Sequence, residues 1–561
     1  MNSVHEVDIL VIGSGAGALT AAFTAADAGA DVLVVEKSDR YGGTSATSGG
    51  GIWIPNSADA RAKGHADDPQ AALGYIKALI GDDVPEDKLR TYVDNAHRML
   101  SYLEEHSDVR YTAYAYSDYH MDVAGARDGW RTHDPIPLNA NELGEDFWKM
   151  EPPHPLTLTF GRFTWTMPEA KLLLTMSPGA KPLLFKLMLK YIFDLPWRLK
   201  TKRSRRLTGG NALIGRLKLS LDHKGVPIWL SSPMKELVTE NGRITGAIVE
   251  RDGQRITVKA RKGVVLASGG FDHNEALRRE NTPATRAEWS AGVPTNTGDG
   301  LIAGRAVGAA TAALDSAWWG PGFVLEGEDR ARIMFVERAL PSSIIINQAG
   351  KRYMNEAASY HVAGGEMLRC DQPDAGTRPS WFVFDARYRG KYAVGLMMAG
   401  KPSADSRLPA AMRAILKKAD TLEGLAKQMN VDPAQFATTV ERFNANARKG
   451  EDPDFGRGSS SYDRHYGDAS VSPNPTLAPI AHGPFYAIPI YPCDLGTNGG
   501  LVTDNDGRVL DENGLPVDGL YAIGNVSAAA MGRTYPGAGA TLGPAMTFGW
   551  LAARHAMRVN A

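Results

Sequence analysis

Cysteine is almost absent from this chain. Its 561 residues include only Cys370 and Cys493, far apart and without CxxC spacing, which argues against a disulfide framework and a cysteine-rich zinc site. No metal centre is expected. Charge of one sign is missing too: 62 Lys and Arg against 63 Asp and Glu leave a formal net charge of −1. Without a basic balance the chain does not read as a nucleic-acid binder. No uninterrupted apolar run reaches the roughly 18 residues that a membrane-spanning helix needs. The chain opens almost directly on a strand-like segment, without the basic stretch and apolar core of a secretion signal, so the expected location is the cytoplasm.

What the chain has in quantity is glycine, 60 residues, and the first of them fall in an ordered pattern. Asp8 to Ile12 is a short apolar run suited to a buried parallel strand, followed at once by Gly13, Gly15 and the small Ala18, with Ala16 and Gly17 between. Gly13 permits a tight turn, Gly15 lets the backbone approach a pyrophosphate, and Ala18 allows close packing of the next helix on the strand. Thr20 to Ala28 reads as that helix, Gly29 caps it, and Asp31 to Val35 is a second strand ending at Glu36 and Lys37. A carboxylate about twenty residues beyond the glycines suits a ribose hydroxyl rather than a 2′-phosphate. Strand, loop, helix, strand and acid in that order indicate an adenine dinucleotide, FAD in this reading, with its phosphates on the helix N-terminus.

A chain of this length is expected to hold more than one core. Pro227 to Val238, Ile244 to Arg251 and Gln254 to Ala260 read as strands joined by turns at Asn241-Gly242 and Asp252-Gly253, and Lys262 to Ser268 as a further buried strand. A second turn-rich block holds a hairpin from Gly500 to Leu510, a strand from Gly519 to Gly524 and a closing helix from Thr541 to Arg558. The expected fold is α/β: a Rossmann-like FAD-binding domain in two parts, 1–285 and 476–561, around an inserted α+β catalytic domain, 286–475. An insertion near 150–206 carries a basic, apolar-rich segment from Lys181 to Arg206. Such a segment can lie on an anionic membrane surface, or pack on its own protein with a solvated basic turn.

Several further motifs stand out. Gly42-Gly43-Thr44-Ser45 runs through Ile52-Trp53-Ile54-Pro55, and Leu207-Thr208-Gly209-Gly210, Ala267-Ser268-Gly269-Gly270-Phe271 and Asn296-Thr297-Gly298-Asp299-Gly300 follow. Asn355-Glu356-Ala357 and Thr534-Tyr535-Pro536-Gly537-Ala538-Gly539-Ala540-Thr541 complete the set. Through nearly its whole length the chain resembles the FAD-dependent 3-ketosteroid Δ1-dehydrogenases, within the wider fumarate reductase and succinate dehydrogenase flavoprotein group. The resemblance implies four catalytic residues: Tyr360 as base, Tyr119 beside it, and Tyr535 with Gly539 holding the ketone. Ser359 stands where proline is expected before the base, and Tyr111, Tyr114 and Tyr116 neighbour Tyr119. The implied cofactor contacts add Gly43, Thr44, Ser45, Gly49, Gly50, Gly51, Gly269, Gly270, Asp299, Asn525, Ala540, Thr541 and Leu542 to the glycine-loop residues. No histidine stands beside Thr44 or Ser45, so FAD is expected to be noncovalent. The implied partners are a 3-ketosteroid and an external electron acceptor such as a quinone; peripheral membrane contact through Lys181 to Arg206 is one of the two readings of that segment, the other being packing on its own protein.

The chemistry is intelligible from the residue types. Desaturating a ketone's α,β carbons removes an α proton and a β hydride, and the proton is acidic only if charge on the carbonyl oxygen is stabilised. Tyrosine, with a free pKa of about 10, needs help to act as base, and a hydrogen bond from Tyr119 would favour a Tyr360 phenolate. Three other readings share parts of this pattern. A fumarate-reductase-like enzyme would clamp carboxylates with Arg352 and His361, a 3-ketosteroid Δ4(5α)-dehydrogenase would act on other ring carbons, and a membrane-associated binding protein would hold flavin only structurally.

Overall fold

The computed structural model describes residues 3–159 and 161–558. The opening strand Ser3–Ile12 lies at the centre of an eight-stranded sheet, flanked in parallel by Val32–Val35 and by Gln254–Leu266, with Pro516–Ala522 parallel beyond the latter. Leu10, Val11, Leu33 and Val34 are fully buried, as strands covered on both faces require. Helix Ala16–Asp27 follows the glycine loop. It ends in a Schellman turn, in which the Gly29 N–H (φ +86°) donates to the Ala26 carbonyl (3.0 Å) and the Ala30 N–H to that of Ala25 (3.0 Å).

Two strand expectations change. Pro227 to Val238 is not one strand: Ile228–Trp229 extends the central sheet beside Val34 and Val35, and Met234–Glu240 starts the antiparallel meander that joins the same sheet through Arg243–Arg251 and Gln254–Leu266. Ser231 at φ +49° and the following Pro233 break the ladder between them. Conversely, Gln254 to Ala260 and Lys262 to Ser268 merge into one strand, Gln254–Leu266, whose first half pairs antiparallel with Arg243–Arg251 and whose second half pairs parallel with Pro516–Ala522. A register shift between Val7 and Ile9 of the neighbouring strand absorbs the change.

A second, six-stranded sheet consists of Arg332–Ile333, Ala317–Phe323, Phe485–Thr497, Ser380–Phe384, Ser343–Ile346 and Lys417–Ala419. Phe485–Thr497 is its spine, lying beyond the boundary expected at 475. Leu277, Leu301 and Ala309, by contrast, share a core with Leu10, Leu33 and Leu266 of the first sheet. We therefore propose an inserted domain of 317–497 in place of 286–475. Helices Met167–Leu174 and Ala180–Ile192 share a small core of Phe163, Leu187 and Tyr191, and the short helix Leu195–Arg198 follows them. Among the described residues no helix is long and apolar enough to cross a membrane.

Candidate active site

One cavity of about 560 Å³ runs from the glycine loop to the seam between the two sheets. Gly13, Gly15, Ala16, Gly17, Ala18, Glu36, Lys37, Gly43, Thr44, Ser45, Gly49, Gly50, Gly51, Gly269, Asp299, Asn525, Thr541 and Leu542 all line it. Two of the expected contacts do not. Gly270 faces Thr497, where a Cβ would fall 2.1 Å from Oγ1, and Ala540 is buried behind its own loop with its N–H on the Gly537 carbonyl (3.1 Å). Both shape the wall from behind.

The wall suits an anionic dinucleotide. Helices Ala16–Asp27 and Leu542–Met557 both present N-termini to the cavity with no side-chain cap and no acid in the first turn, leaving positive dipole ends free for phosphate or a reduced flavin. Thr44 Oγ1 accepts from Val293 N–H (3.1 Å) and Asn296 Nδ2 (3.0 Å), and Ser45 Oγ from Ala16 N–H (3.1 Å). Their own hydroxyl hydrogens remain available. A Cβ on Gly43, at φ +50°, would meet nothing within 4 Å, so that face is open for a ring. Glu36 accepts from Ser14 Oγ (2.6 Å) and Ser38 N–H (2.9 Å), and burial pushes its carboxyl above the usual range. Lys37 Nζ bridges to Asp299 (2.8 Å) and Thr297 (2.5 Å), closing one side.

The glycines act differently from expectation at two places. Close packing also falls on Gly17, against the closing helix: a Cβ there would lie 2.7 Å from the Ala545 carbonyl. Gly539, at φ +96°, turns its missing Cβ toward the Ile52 backbone at 2.4 Å, so its glycine is required by the strand behind it. That seating aims its N–H at the Tyr535 hydroxyl.

At the far end the expected tyrosines meet. Ring centroids of Tyr119, Tyr360 and Tyr535 lie 5.4 to 5.7 Å apart, and all three line the cavity with Gly539. Tyr360 opens helix Tyr360–Arg369, whose cap Ser359 accepts from Val362 N–H (3.3 Å). At φ −54° Ser359 keeps a backbone that proline also adopts, so the departure there adds a cap without moving the base. Tyr119 is held because its N–H donates to the Pro536 carbonyl (2.9 Å), one residue past Tyr535. Beside it, Asp118 accepts from Trp53 Nε1 (2.7 Å) and Arg131 (2.6 Å), tying the Ile52-Trp53 motif to the tyrosines.

Burial pushes the Tyr360 hydroxyl well above the ordinary tyrosine value, and the hydrogen bond to Tyr535 does the same, while that from Tyr119 pulls it down. Tyr535 is also raised by burial, but Thr541, Tyr360 and the Gly539 N–H favour its anionic side. The arrangement can take a proton at one hydroxyl and steady negative charge at another. Ser14, Trp318, Phe335 and Tyr462 also belong to the site and were not expected. Ser14 was signalled by its place between two loop glycines; the aromatic residues carry no local signal, because only the tertiary fold brings Trp318 to Tyr535 (5.1 Å), Phe335 to Tyr360 (5.1 Å) and Tyr462 to Tyr119 (4.9 Å).

The carboxylate clamp fails on geometry. Arg352 is spent on Glu356 (2.7 Å) and Asp452 (2.9 Å), and His361 Nε2 bonds the Arg533 carbonyl (2.9 Å). Neither lines the cavity.

The family model described as an FAD binding domain matches residues 8–542. A 3-oxosteroid 1-dehydrogenase of Mycobacterium tuberculosis (strain ATCC 25618 / H37Rv) is 40% identical across 99% of this chain and 98% of its own. One from Comamonas testosteroni is 38% identical across 98% and 96%. The crystal structure of 3-ketosteroid delta1-dehydrogenase from Sterolibacterium denitrificans in complex with 1,4-androstadiene-3,17-dione superposes with a TM-score of 0.95 at 42% identity, covering 99% of this chain and 100% of that one. With a nucleotide cavity of this form and relatives matched end to end, the chain belongs to the FAD-binding flavoenzyme family of the 3-oxosteroid 1-dehydrogenases.

Proposed function

We propose that this enzyme desaturates 3-oxosteroids between C1 and C2, with Tyr360 as base, Tyr119 as its hydrogen-bond partner, and Tyr535 with Gly539 N–H as the oxyanion hole. The observation that carries the reading is the closure of Tyr119, Tyr360 and Tyr535 on one another where the cofactor cavity ends. Tyr360 takes the C2 proton; Tyr119, donating to it, keeps the phenolate in place. Tyr535 O–H and Gly539 N–H meet the charge that grows on the C3 oxygen, and strengthen as it grows. Bound against the glycine loop, Thr44, Ser45 and the N-terminus of helix Leu542–Met557, FAD supplies the two-electron acceptor for the C1 hydrogen. A neutral aromatic pocket that buries these hydroxyls excludes water from the proton transfer.

FAD is proposed to be held without a covalent bond, because no histidine stands beside Thr44 or Ser45. Anaerobic addition of a 4-ene-3-oxosteroid is expected to bleach the flavin, and acid precipitation of the same protein to leave flavin in the supernatant. No bleaching by any steroid, with reoxidation of the reduced protein by fumarate, would turn the reading toward the dicarboxylate enzyme. The acceptor that regenerates the flavin is proposed to be apolar, a quinone, reaching the enzyme by the same route as the steroid.

That route is proposed to be an anionic membrane surface met by Lys181 to Arg206. Helix Ala180–Ile192 turns Leu187 and Tyr191 onto Phe163 and sets Ala180, Lys181 and Leu184 in the cavity wall. Its outer side and the short helix Leu195–Arg198 that follows leave Phe185 63%, Phe193 74%, Leu195 62% and Leu199 91% exposed. Lys186, Lys190, Lys200 and Lys202 stand exposed among them. The arginines of the basic run do not contribute freely: Arg205 pairs with Asp194 (2.8 Å), Arg206 with Glu169 (3.0 Å), and Arg203 stacks on Phe147. The enzyme is expected to co-sediment with phosphatidylserine-containing vesicles, and Phe185→Ser with Phe193→Ser to weaken this about tenfold or more. Equal recovery with anionic and purely zwitterionic vesicles, or none with either, would remove the membrane from the account.

A further inference from the structure

Behind the cofactor cavity lies a chain of buried polar groups that the proton and hydride transfers do not use. Asp272, fully buried after Gly269-Gly270-Phe271, presents Oδ2 to two donors, Ser290 Oγ (3.0 Å) and Asn296 Nδ2 (3.3 Å). Its seat is cut for it: a Cβ on Gly292 would fall 2.1 Å from Oδ2, and one on Gly270 3.2 Å from Oδ1. Ser290 Oγ accepts from Gly292 N–H (3.0 Å), which leaves its own hydrogen for the carboxyl. The neighbouring Asp494 is engaged by Arg278 (2.6 Å) and Gly496 N–H (2.9 Å). Burial and Asp494 push the Asp272 carboxyl above the usual carboxylate range. Oδ2 is an acceptor in either charge state, because two donors hold it and any proton goes to Oδ1, which has no partner among the described residues.

Asn296 carries that constraint to the cavity wall. A side-chain amide gives hydrogens only from nitrogen, so facing Asp272 Oδ2 fixes which way the amide points. The second Nδ2 hydrogen then goes to Thr44 Oγ1 (3.0 Å). Gly269, at φ +78°, makes room for the other end, since a Cβ there would lie 2.7 Å from Asn296 Oδ1. Thr44 Oγ1 accepts from Val293 N–H as well (3.1 Å). Both of its lone pairs are therefore filled, and its hydroxyl hydrogen has no acceptor among the described residues other than what occupies the cavity it lines. Ser45 differs: it accepts only from Ala16 N–H (3.1 Å) and keeps a lone pair free.

We propose that Asp272 and Asn296 are positioning residues that lock Thr44 as a hydrogen-bond donor to the flavin and so raise its two-electron potential; this rests on Thr44 being a flavin contact. Reduction adds electron density to the ring, and a donor already aimed at the ring stabilises the reduced form more than the oxidised one. A threonine without the chain behind it is free to turn its hydrogen back to the protein. The ring would then meet a lone pair instead.

The test is the flavin midpoint potential of the Thr44→Val, Asn296→Leu and doubly substituted holoenzymes, with flavin content and thermal midpoint recorded. Loss of one donor to a charged group is worth about tenfold in the reduced-to-oxidised equilibrium, about 30 mV for two electrons. Thr44→Val is expected to lower the potential by about that much, and Asn296→Leu by about threefold to tenfold, about 15 to 30 mV. The double variant should fall no further than Thr44→Val alone, as action through Thr44 requires. Asp272→Leu should copy Asn296→Leu, while Asp272→Asn, which keeps an oxygen toward both donors, should stay near wild type. Asn296→Leu at the wild-type potential, or a double variant that sums the two shifts, overturns the proposal. Thr44→Val at the wild-type potential removes the flavin contact itself and is equally fatal. Should Asn296→Leu lose FAD, neutron diffraction of the wild-type holoenzyme decides: deuterium on Thr44 Oγ1 directed at the flavin is expected, and deuterium directed at Asn296 overturns the chain. No steroid enters these measurements, so their outcome is separate from that of the desaturation reading.

Discussion

Tyr360→Phe is expected to lower kcat by about 100- to 10,000-fold, the range typical for loss of a positioned general base, while FAD stays bound. The ring is held edge-on by Phe335 at 5.1 Å and by Tyr119 and Tyr535 at 5.7 and 5.4 Å, and phenylalanine keeps each of those contacts. Only the hydroxyl goes. Neighbouring His361 is a poor substitute, because it does not line the cavity and burial pulls it down to about 4. Tyr119 donates its hydrogen bond toward Tyr360, and without that acceptor it is a buried neutral phenol. Stopped-flow flavin reduction by a saturating steroid separates this from slow product release. A Tyr360→Phe enzyme within a few-fold of wild type would contradict the assignment.

Tyr535→Phe should cost about 100- to 1,000-fold, the usual loss for one oxyanion donor, and should fall on kcat more than on KM because the contact tightens as charge develops. The hydroxyl lies among Thr541 Oγ1 at 3.4 Å, Tyr360 and the Gly539 N–H. With Tyr535 removed, Gly539 N–H remains as the other donor, so the variant is slow rather than dead. Gly539 cannot serve as the cleaner test: a Cβ there would lie 2.4 Å from Ile52 Cα, and φ of +96° strains any other residue. A Tyr535→Phe variant that raises KM with kcat intact would make Tyr535 a substrate-binding group only.

The nucleotide cradle was legible in the sequence because its parts are local. Strand, glycine turn and helix follow one another within Asp8 to Asp27, so spacing alone orders them. Tyr360 and Tyr535 were reachable through their motifs. Their surroundings were not: Tyr462 arrives against Tyr119 from a helix about a hundred residues downstream of Tyr360 in sequence. Boundaries also escaped local reading. Phe485–Thr497 alternates and turns like any other strand, and nothing in its composition says which sheet it completes. Gly270 and Gly17 illustrate a third limit, since a glycine that seats one segment on another looks identical in sequence to one that admits a ligand.

Steroid regiochemistry tests the central claim most directly. A 5α-reduced 3-oxosteroid offers both the C1–C2 and the C4–C5 bonds to the enzyme, and one anaerobic turnover leaves a product that mass and nuclear magnetic resonance spectra identify. The account predicts the 1-ene-3-oxosteroid, with flavin bleached in proportion to product. The 4-ene product as the main species, or flavin reduction without a new double bond, would contradict it.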